Sequence, residues 1–510
     1  MVFTKQNQQS SFAAGAAMLA LSGAVVKLIG VCYKIPLMRL IGAEGMGYFN
    51  AAYDVYAVLC MISTSGLPIA VSVLINRYPG LHRRIFRISL VMFAMLGTLG
   101  SLGVFCAADQ IAIWVGAPNA AQCLRFIAPA VLFVCLSGAL KGYYQAKRNM
   151  RPTAVSQVVE ASGKLLFGLL FAHMSIRYDA NPAMAAAFAV LGLSLGTMLC
   201  LLYLGFCYKT GASDEMSKTD APRLVRELFM LALPVTLGAI LSGLSKVIDL
   251  ALVMRRLQDG GMAQQGAVAM YGCYTSMVIP LFGVIPALFS SVSLPLVPHL
   301  GHAISNRDMI SQKMILQTAF RWCIVISIPS SLGIAMLGEQ ILRLLFSDAA
   351  EIHIATVMLV IISTAIPASC LITVTGAVLH AYGHPSIPMV ATFLGCLLKT
   401  VTLYILCAVP GVGILAAPIS TVLCCMVIVS VNLWFIGRYA PVFPYSLPLI
   451  LALVASVASI AVSAFICRCL ESQVWQVGIC IPIAVLLYFS IAYLCGLLRI
   501  SDIKSIKTQE

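Results

Sequence analysis

Apolar stretches of roughly 18 or more residues, nearly free of charge, recur from Phe12 almost to the C-terminus. Each is long enough to cross roughly 30 Å of hydrocarbon as a helix. Lipid offers no partners to backbone N–H and C=O groups, so a spanning segment must satisfy them internally, and helices do this within one segment. Composition removes the soluble alternative. Of 510 residues, 61% are apolar and 10% are Asp, Glu, Lys or Arg, where a soluble domain carries about 25% charged residues. The chain therefore reads as an all-α polytopic membrane protein of about fourteen transmembrane helices, with membrane lipids as obligatory partners.

The formal charge of +14 does not point to nucleic acid, because the basic residues sit in short loops and form no continuous stripe. The 18 Cys fall mostly inside apolar stretches, as at Cys424 and Cys425. They show no metal-site or disulfide spacing and read as small core hydrophobes. The first span, from about Ser11 to Ile35, is too long for a cleaved signal and contains Lys27, so it is kept as a helix.

With Gly, Pro and charge clusters as punctuation, six helices are predicted near 11–35, 48–75, 85–107, 122–145, 154–174 and 182–206. Six more are predicted near 226–253, 267–297, 315–337, 352–379, 387–408 and 412–436. Helices 13 and 14 follow near 446–467 and 474–497. The expected organisation is an N-terminal lobe over 1–210, a polar linker over 211–223, a C-terminal lobe over 224–440, and helices 13–14 with a tail over 441–510.

Cytoplasmic loops are the basic ones. Placing the N-terminus inside collects Arg77, Arg83, Arg84, Arg87, Lys141, Lys147, Arg148, Arg151, Lys504 and Lys507, among others, on the cytoplasmic side. It leaves only Arg39, Arg177, Arg255, Arg256, Arg343 and Arg468 outside, with Arg125 just inside a span. Both termini are expected to be cytoplasmic, which requires an even number of spans.

The two six-helix groups repeat one another. Tyr53, Tyr56 and Pro68 recur at a constant offset as Tyr271, Tyr274 and Pro286, while Lys27 matches Lys246 and Lys164 matches Lys399 at other offsets. Six spans per unit make such repeats parallel, and transporters built this way hold substrate near the repeat interface.

The segment GYYQAKRNMRPTAVSQVVE (Gly142–Glu160) resembles the connection between helices 4 and 5 in stage V sporulation protein B-like transporters. RLIGAEGMGYFNAAYDVY (Arg39–Tyr56) and STSGLPIAVSVLI (Ser63–Ile75) agree with it, and the resemblance spans essentially the whole chain. These transporters belong to the MOP exporter superfamily, with lipid II flippases, O-antigen flippases and MATE-type multidrug exporters. The resemblance implies two six-helix lobes and export of a polyprenyl-linked saccharide, a peptidoglycan or polysaccharide precursor, across a bacterial cytoplasmic membrane. It also implies that helices 13 and 14 form a groove for the lipid tail. One position departs: Lys164 stands where Arg is expected four residues after the helix 5 Glu, keeping the charge without the bidentate fork.

Ionisable groups inside spans cost at least roughly 2.5–3.5 kcal/mol each and usually face a cavity or a partner. The deep ones are Lys27, Asp54, Glu160, Lys164, Lys246, Asp249 and Lys399. Lys27 and Lys34, seven apart, share a helix face, either as a cationic rail for a diphosphate or as snorkelling side chains. Gln157, Glu160 and Lys164 make one stripe on helix 5, with Glu160 and Lys164 spaced to pair. Lys246 and Asp249 pose the same choice between self-neutralisation and ligand contact. Asp54 has no partner at helical spacing in its own span, so either Lys27 pairs with it from another helix or it binds a proton or Na⁺. Tyr53, Tyr56, Tyr271 and Tyr274 suit sugar stacking or simple interfacial anchoring. Pro68, Pro286, Pro329 and Pro367 mark spans expected to bend. On helix 13, Ala455, Ser459 and Ser463 form a small-residue packing face.

No phosphate loop occurs, since the Gly163–Lys164 pair has Val158 where the first Gly should stand. Nor is there G-x-S-x-G or H-E-x-x-H, so no catalytic residue, metal or cofactor is expected. A glycan-polymerising enzyme fits poorly with such short loops. Two carriers remain: a flippase for an anionic lipid-linked saccharide, and a MATE-like antiporter for cationic drugs. Four deep lysines against three deep acids favour the anionic substrate. Energy would come from Na⁺ or H⁺ coupling, the membrane potential or product consumption outside, and the chain is expected to act as a monomer.

Overall fold

The computed structural model describes residues 2–78, 80–147, 149–177, 181–208, 221–293, 296–346, 350–409, 411–439, 446–468 and 473–494. It is helical throughout, with no strand among the described residues. In chain order the helices are α1 (Val2–Thr64), α2 (Gly66–Arg77), α3 (His82–Cys106), α4 (Ala108–Val115), α5 (Ala121–Ala146), α6 (Arg151–Arg177), α7 (Pro182–Cys207), α8 (Ala221–Asp259) and α9 (Gln264–Cys273). They continue as α10 (Ile279–Ser293), α11 (Leu296–Ser305), α12 (Met309–Phe346), α13 (Ile352–Ser363), α14 (Ile366–Ala381), α15 (Ser386–Leu406), α16 (Ala416–Tyr439), α17 (Ser446–Arg468) and α18 (Gln473–Leu494). A π-helical stretch, Tyr274–Val278, joins α9 to α10. The polytopic all-α class is thus observed.

Among the described residues nine helices are long and apolar enough to cross a membrane, or ten if α13 and α14, bent by 42°, count as one span. One of the nine, Leu21–Arg77, is 57 residues long. At 1.5 Å per residue that length suffices for two crossings. It is broken at Gly42, whose φ of 70° and ψ of 179° lie in a region essentially reserved for glycine. The sequence reading ended helix 1 at 35 and began helix 2 at 48; the helix instead runs on to this one-residue break. Most other boundaries fall within a few residues of expectation, and α4 and α11 are short helices that were not predicted.

The expected bends divide by proline position. Helix 2 breaks at Ser65, three residues before Pro68, and helix 10 breaks at Thr364–Ala365, with Pro367 in the first turn of α14. Proline favours a helix start there because its missing N–H has no intrahelical partner to lose. Pro286 and Pro329 lie inside α10 and α12, which continue through them.

Packing divides the chain into two compact units, Met1–Gly272 and Cys273–Glu510. In the first, α6 lies against α7 with glycine on glycine: a Cβ at Gly192 would overlap the Gly168 backbone, and one at Gly163 would come within 2.9 Å of Gly196 Cα. Small residues let backbones approach this closely in membranes. α8 packs on α1, α2 and α4 within this unit. The linker expected at 211–223 lies outside the described residues as far as position 220.

In the second unit, Phe320, Cys323, Val374, Val378 and Ile436 form a buried core. α12 begins where the Asp308 carboxylate accepts the backbone N–H of Ile310 and Ser311, both at 3.1 Å, a cap on otherwise unsatisfied donors. The Ser311 hydroxyl, which donates to the same carboxylate, and then these backbone bonds hold the Asp308 carboxyl below the usual carboxylate range. Helices α17 and α18 dock through hydroxyls: Ser463 Oγ donates to the Cys480 carbonyl at 2.7 Å, and Tyr488 Oη to the Val325 carbonyl at 2.7 Å. Ala455, Ser459 and Ser463 are all buried, as a packing face requires.

A cationic cavity in the first unit as candidate functional site

Helices α1, α5, α6 and α7 of the first unit enclose a cavity of ≈ 470 Å³. On the α1 side its wall carries Tyr33, Lys34, Phe49 and Tyr53; α5 contributes Lys141, α6 contributes Gln157, Glu160 and Lys164, and α7 contributes Leu193. The break at Gly42 brings two stretches of α1 together, with Tyr33 edge-on to Phe49 at 6.0 Å and Phe49 stacked on Tyr53 at 6.1 Å.

The stripe Gln157, Glu160, Lys164 faces this space, as its helical spacing required. Lys164 Nζ lies 2.6 Å from Glu160 Oε1, and Lys141 Nζ lies 3.8 Å from Glu160 Oε2. One carboxylate thus holds two ammonium groups. Side-chain exposure is only 13% for Lys141, 18% for Glu160 and 22% for Lys164, so the charges are weakly screened by water. Ser22 Oγ donates to Gln157 Oε1 at 3.2 Å. The backbones of α6 and α7 are close enough here that a Cβ at Gly196 would stand 2.7 Å from Lys164 N and 2.9 Å from the Glu160 carbonyl. The glycine contact therefore fixes the height and rotation of the charged stripe.

A second polar group in the same unit centres on Asp54. Tyr271 Oη donates to Asp54 Oδ2 at 2.7 Å, and Lys34, Lys246 and Asp249 lie within electrostatic range. The expectation that Lys27 partners Asp54 is corrected: Lys34 and Lys246 take that place. Lys27 is exposed and absent from the cavity wall. Gly23, Val26, Ile29, Gly30, Tyr33 and Lys34 define the α1 face that lines the cavity.

Of the predicted residues, the cavity gathers Lys34, Tyr53, Gln157, Glu160 and Lys164, while Asp54, Lys246 and Asp249 form the adjoining group. Lys399 lies in the second unit on α15, within electrostatic range of Cys424 and Cys425. Tyr56, Tyr271 and Tyr274 are buried; Tyr274 Oη sits 3.3 Å from Thr421 Oγ1. Lys141, Tyr33 and Phe49 were missed. Lys141 had been assigned to a basic cytoplasmic loop, although it lies five residues inside the end of α5. No group of three or more His, Cys, Asp or Glu is placed to hold a metal ion among the described residues.

A separate apolar cavity of ≈ 240 Å³ lies in the second unit, lined by Ile326, Pro329, Leu337, Ser459, Ile460, Val485, Tyr488 and Phe489 among others. Helices α17 and α18, predicted as helices 13 and 14, supply one side of it.

The family model described as polysaccharide biosynthesis protein matches residues 12–300, and the MatE model matches residues 261–405. Two relatives from Bacillus subtilis (strain 168) match along most of their length. An uncharacterized membrane protein, YabM, is 26% identical over 82% of this chain and 79% of its own. Stage V sporulation protein B is 24% identical over 85% of each. Among solved structures, the lipid II flippase MurJ in its inward closed conformation superimposes with a TM-score of 0.70 at 15% identity, covering 95% of this chain and 100% of its own.

Proposed function

The chain belongs to the polysaccharide biosynthesis protein family, and from that premise we propose that it moves an anionic, polyprenyl-diphosphate-linked saccharide across the cytoplasmic membrane by alternating access. The observation that carries this reading is the Lys141–Glu160–Lys164 group on the cavity wall, whose lysines outnumber the carboxylate by one. Excess buried positive charge is compensated by an anion, and charge-assisted hydrogen bonds to phosphate are among the strong polar contacts. The Phe49 and Tyr53 rings offer flat apolar faces beside these charges, suited to a sugar ring. The apolar cavity against α17 and α18 suits a polyprenyl chain. The lipid II flippase MurJ shares this fold, which supports the same substrate class.

The MatE match over 261–405 keeps a cation-coupled multidrug antiporter as the competing reading. A site for drug cations would be net acidic, and this cavity is not. No catalytic step is proposed. Both termini are placed in the cytoplasm, so reporter fusions at Lys218 and Thr508 should both read cytoplasmic; an external reading at either site would remove that orientation. To test the function, the protein is depleted and the lipid-linked precursors on the cytoplasmic face are measured. One polyprenyl-diphosphate saccharide should accumulate. Unchanged precursor pools together with new sensitivity to cationic dyes would replace this reading with the antiporter.

A further inference from the structure

Glu160 occupies the place an anionic ligand would take. Its two carboxylate oxygens face Lys164 Nζ at 2.6 Å and Lys141 Nζ at 3.8 Å, and it stands on the wall of a cavity large enough to admit a diphosphate. The groups facing it come from every neighbouring helix: Lys34, Tyr53, Tyr56 and Cys60 from α1, Lys141 from α5, Lys164 from α6 and Cys200 from α7. Lys34 also lies within electrostatic range of Asp54, so the surplus positive charge belongs to the two lysines on Glu160.

We infer that Glu160 is a proton-binding site, which takes up one proton when an anion enters the cavity and claims Lys141 and Lys164. This rests on the anionic-substrate reading above and adds the coupling ion to it. Two ammoniums against one carboxylate give the group one net positive charge before an anion enters. A diphosphate diester brings two negative charges. Without a proton the group would become net negative in a weakly hydrated space, with the Glu160 carboxylate beside a phosphate, and like charges at close range disfavour the ionised form. One proton on Glu160 restores neutrality. The carboxylic acid then donates its O–H, to Gln157 Oε1 one turn away or to a phosphate oxygen. Ser22 Oγ donates to that same amide oxygen at 3.2 Å, and Gln157 is on the cavity wall.

The sign follows from linkage. The anion-bound protein holds one more proton than the free protein, so anion affinity rises as pH falls, by up to about tenfold per pH unit. No pH dependence is expected once position 160 cannot titrate. The relation is reciprocal: a proton gradient biases anion occupancy, and anion binding consumes protons.

The test uses the purified full chain and P1,P2-dimethyl diphosphate, a diester whose own charge is constant across the neutral range. Calorimetric titration in two buffers of different ionisation enthalpy counts the protons taken up. Wild type should take up about one proton per diester, and Glu160→Gln should bind the diester with no uptake and no pH dependence. Infrared difference spectra of the wild type should gain a carboxylic-acid C=O band on adding the diester, which reads the same event with no variant. Diester binding with no proton uptake and no new band overturns the proposal while leaving the anionic-substrate reading intact. Uptake that persists in Glu160→Gln also overturns it and moves the proton to another group, Asp54 first. If the diester does not bind at any pH, or binds equally well in Lys141→Gln and Lys164→Gln, the anionic cavity and the proton site fall together.

Discussion

Lys164→Gln and Lys141→Gln are each expected to slow transport of a diphosphate-linked lipid by roughly 10- to 100-fold, with the protein still folded and inserted. The estimate takes one charge-assisted bond to the substrate, about 1.5–3 kcal/mol, at roughly 1.4 kcal/mol per factor of ten. Removing both lysines alone would strand the Glu160 carboxylate in a poorly hydrated site, a costly state. The informative variant is therefore Lys141→Gln/Glu160→Gln/Lys164→Gln, which removes all three charges together. It should keep normal thermal stability and show no transport, separating charge chemistry from folding. Lys27→Gln is the control: an exposed lysine outside the cavity wall should change transport less than about threefold. The assay is initial translocation rate in proteoliposomes matched for protein content. Wild-type rates in both single lysine variants would show that the pair is structural.

Gly192→Leu should strongly destabilise the folded protein. A Cβ at this position overlaps the backbone of Gly168 and of Phe167, atoms that no rotamer change can move aside. Relief requires α6 and α7 to separate, which opens the most extensive helix pair of the first unit and shifts the Glu160–Lys164 stripe. Overpacking in a close-packed interior costs typically 1–3 kcal/mol and occasionally more; a clash with backbone belongs at the upper end. A Cβ at Gly103 on α3 meets nothing within 4 Å, so Gly103→Leu should be neutral. Size-exclusion profiles and thermal melts in detergent separate the two: aggregation or a melt several degrees lower for Gly192→Leu, an unchanged profile for Gly103→Leu. Equal behaviour of both variants would contradict the glycine-on-glycine contact.

Hydrophobic length and charge placement made much of this protein legible. The all-α class, most helix limits and the Gln157, Glu160, Lys164 stripe followed from span length, punctuation and helical period. What escaped depended on which helix faces which. Gly163, Gly168, Gly192 and Gly196 are unremarkable apolar-span glycines until α6 and α7 are seen to share them. Lys141 sits near the end of its helix, where counting charges by loop assigned it to topology; only the neighbouring position of Glu160 reveals its partner. Asp54, with no partner at helical spacing in its own span, pointed to Lys27 on another helix, but Lys34 and Lys246 are the lysines within electrostatic range of it. Tyr271, chosen for a repeat of Tyr53, instead donates to the Asp54 carboxylate. Repeat correspondence shows that positions are related, not that they share a role.

The central claim is that the carried species is an anionic lipid-linked saccharide. Its most direct measurement is translocation by the purified wild-type chain in proteoliposomes, comparing a fluorescent polyprenyl-diphosphate sugar with a lipophilic dye cation. The account predicts inward-to-outward movement of the diphosphate lipid, inhibited by dimethyl diphosphate, with no movement of the cation above protein-free vesicles. Dye transport driven by a cation gradient, with the diphosphate lipid immobile, would contradict it.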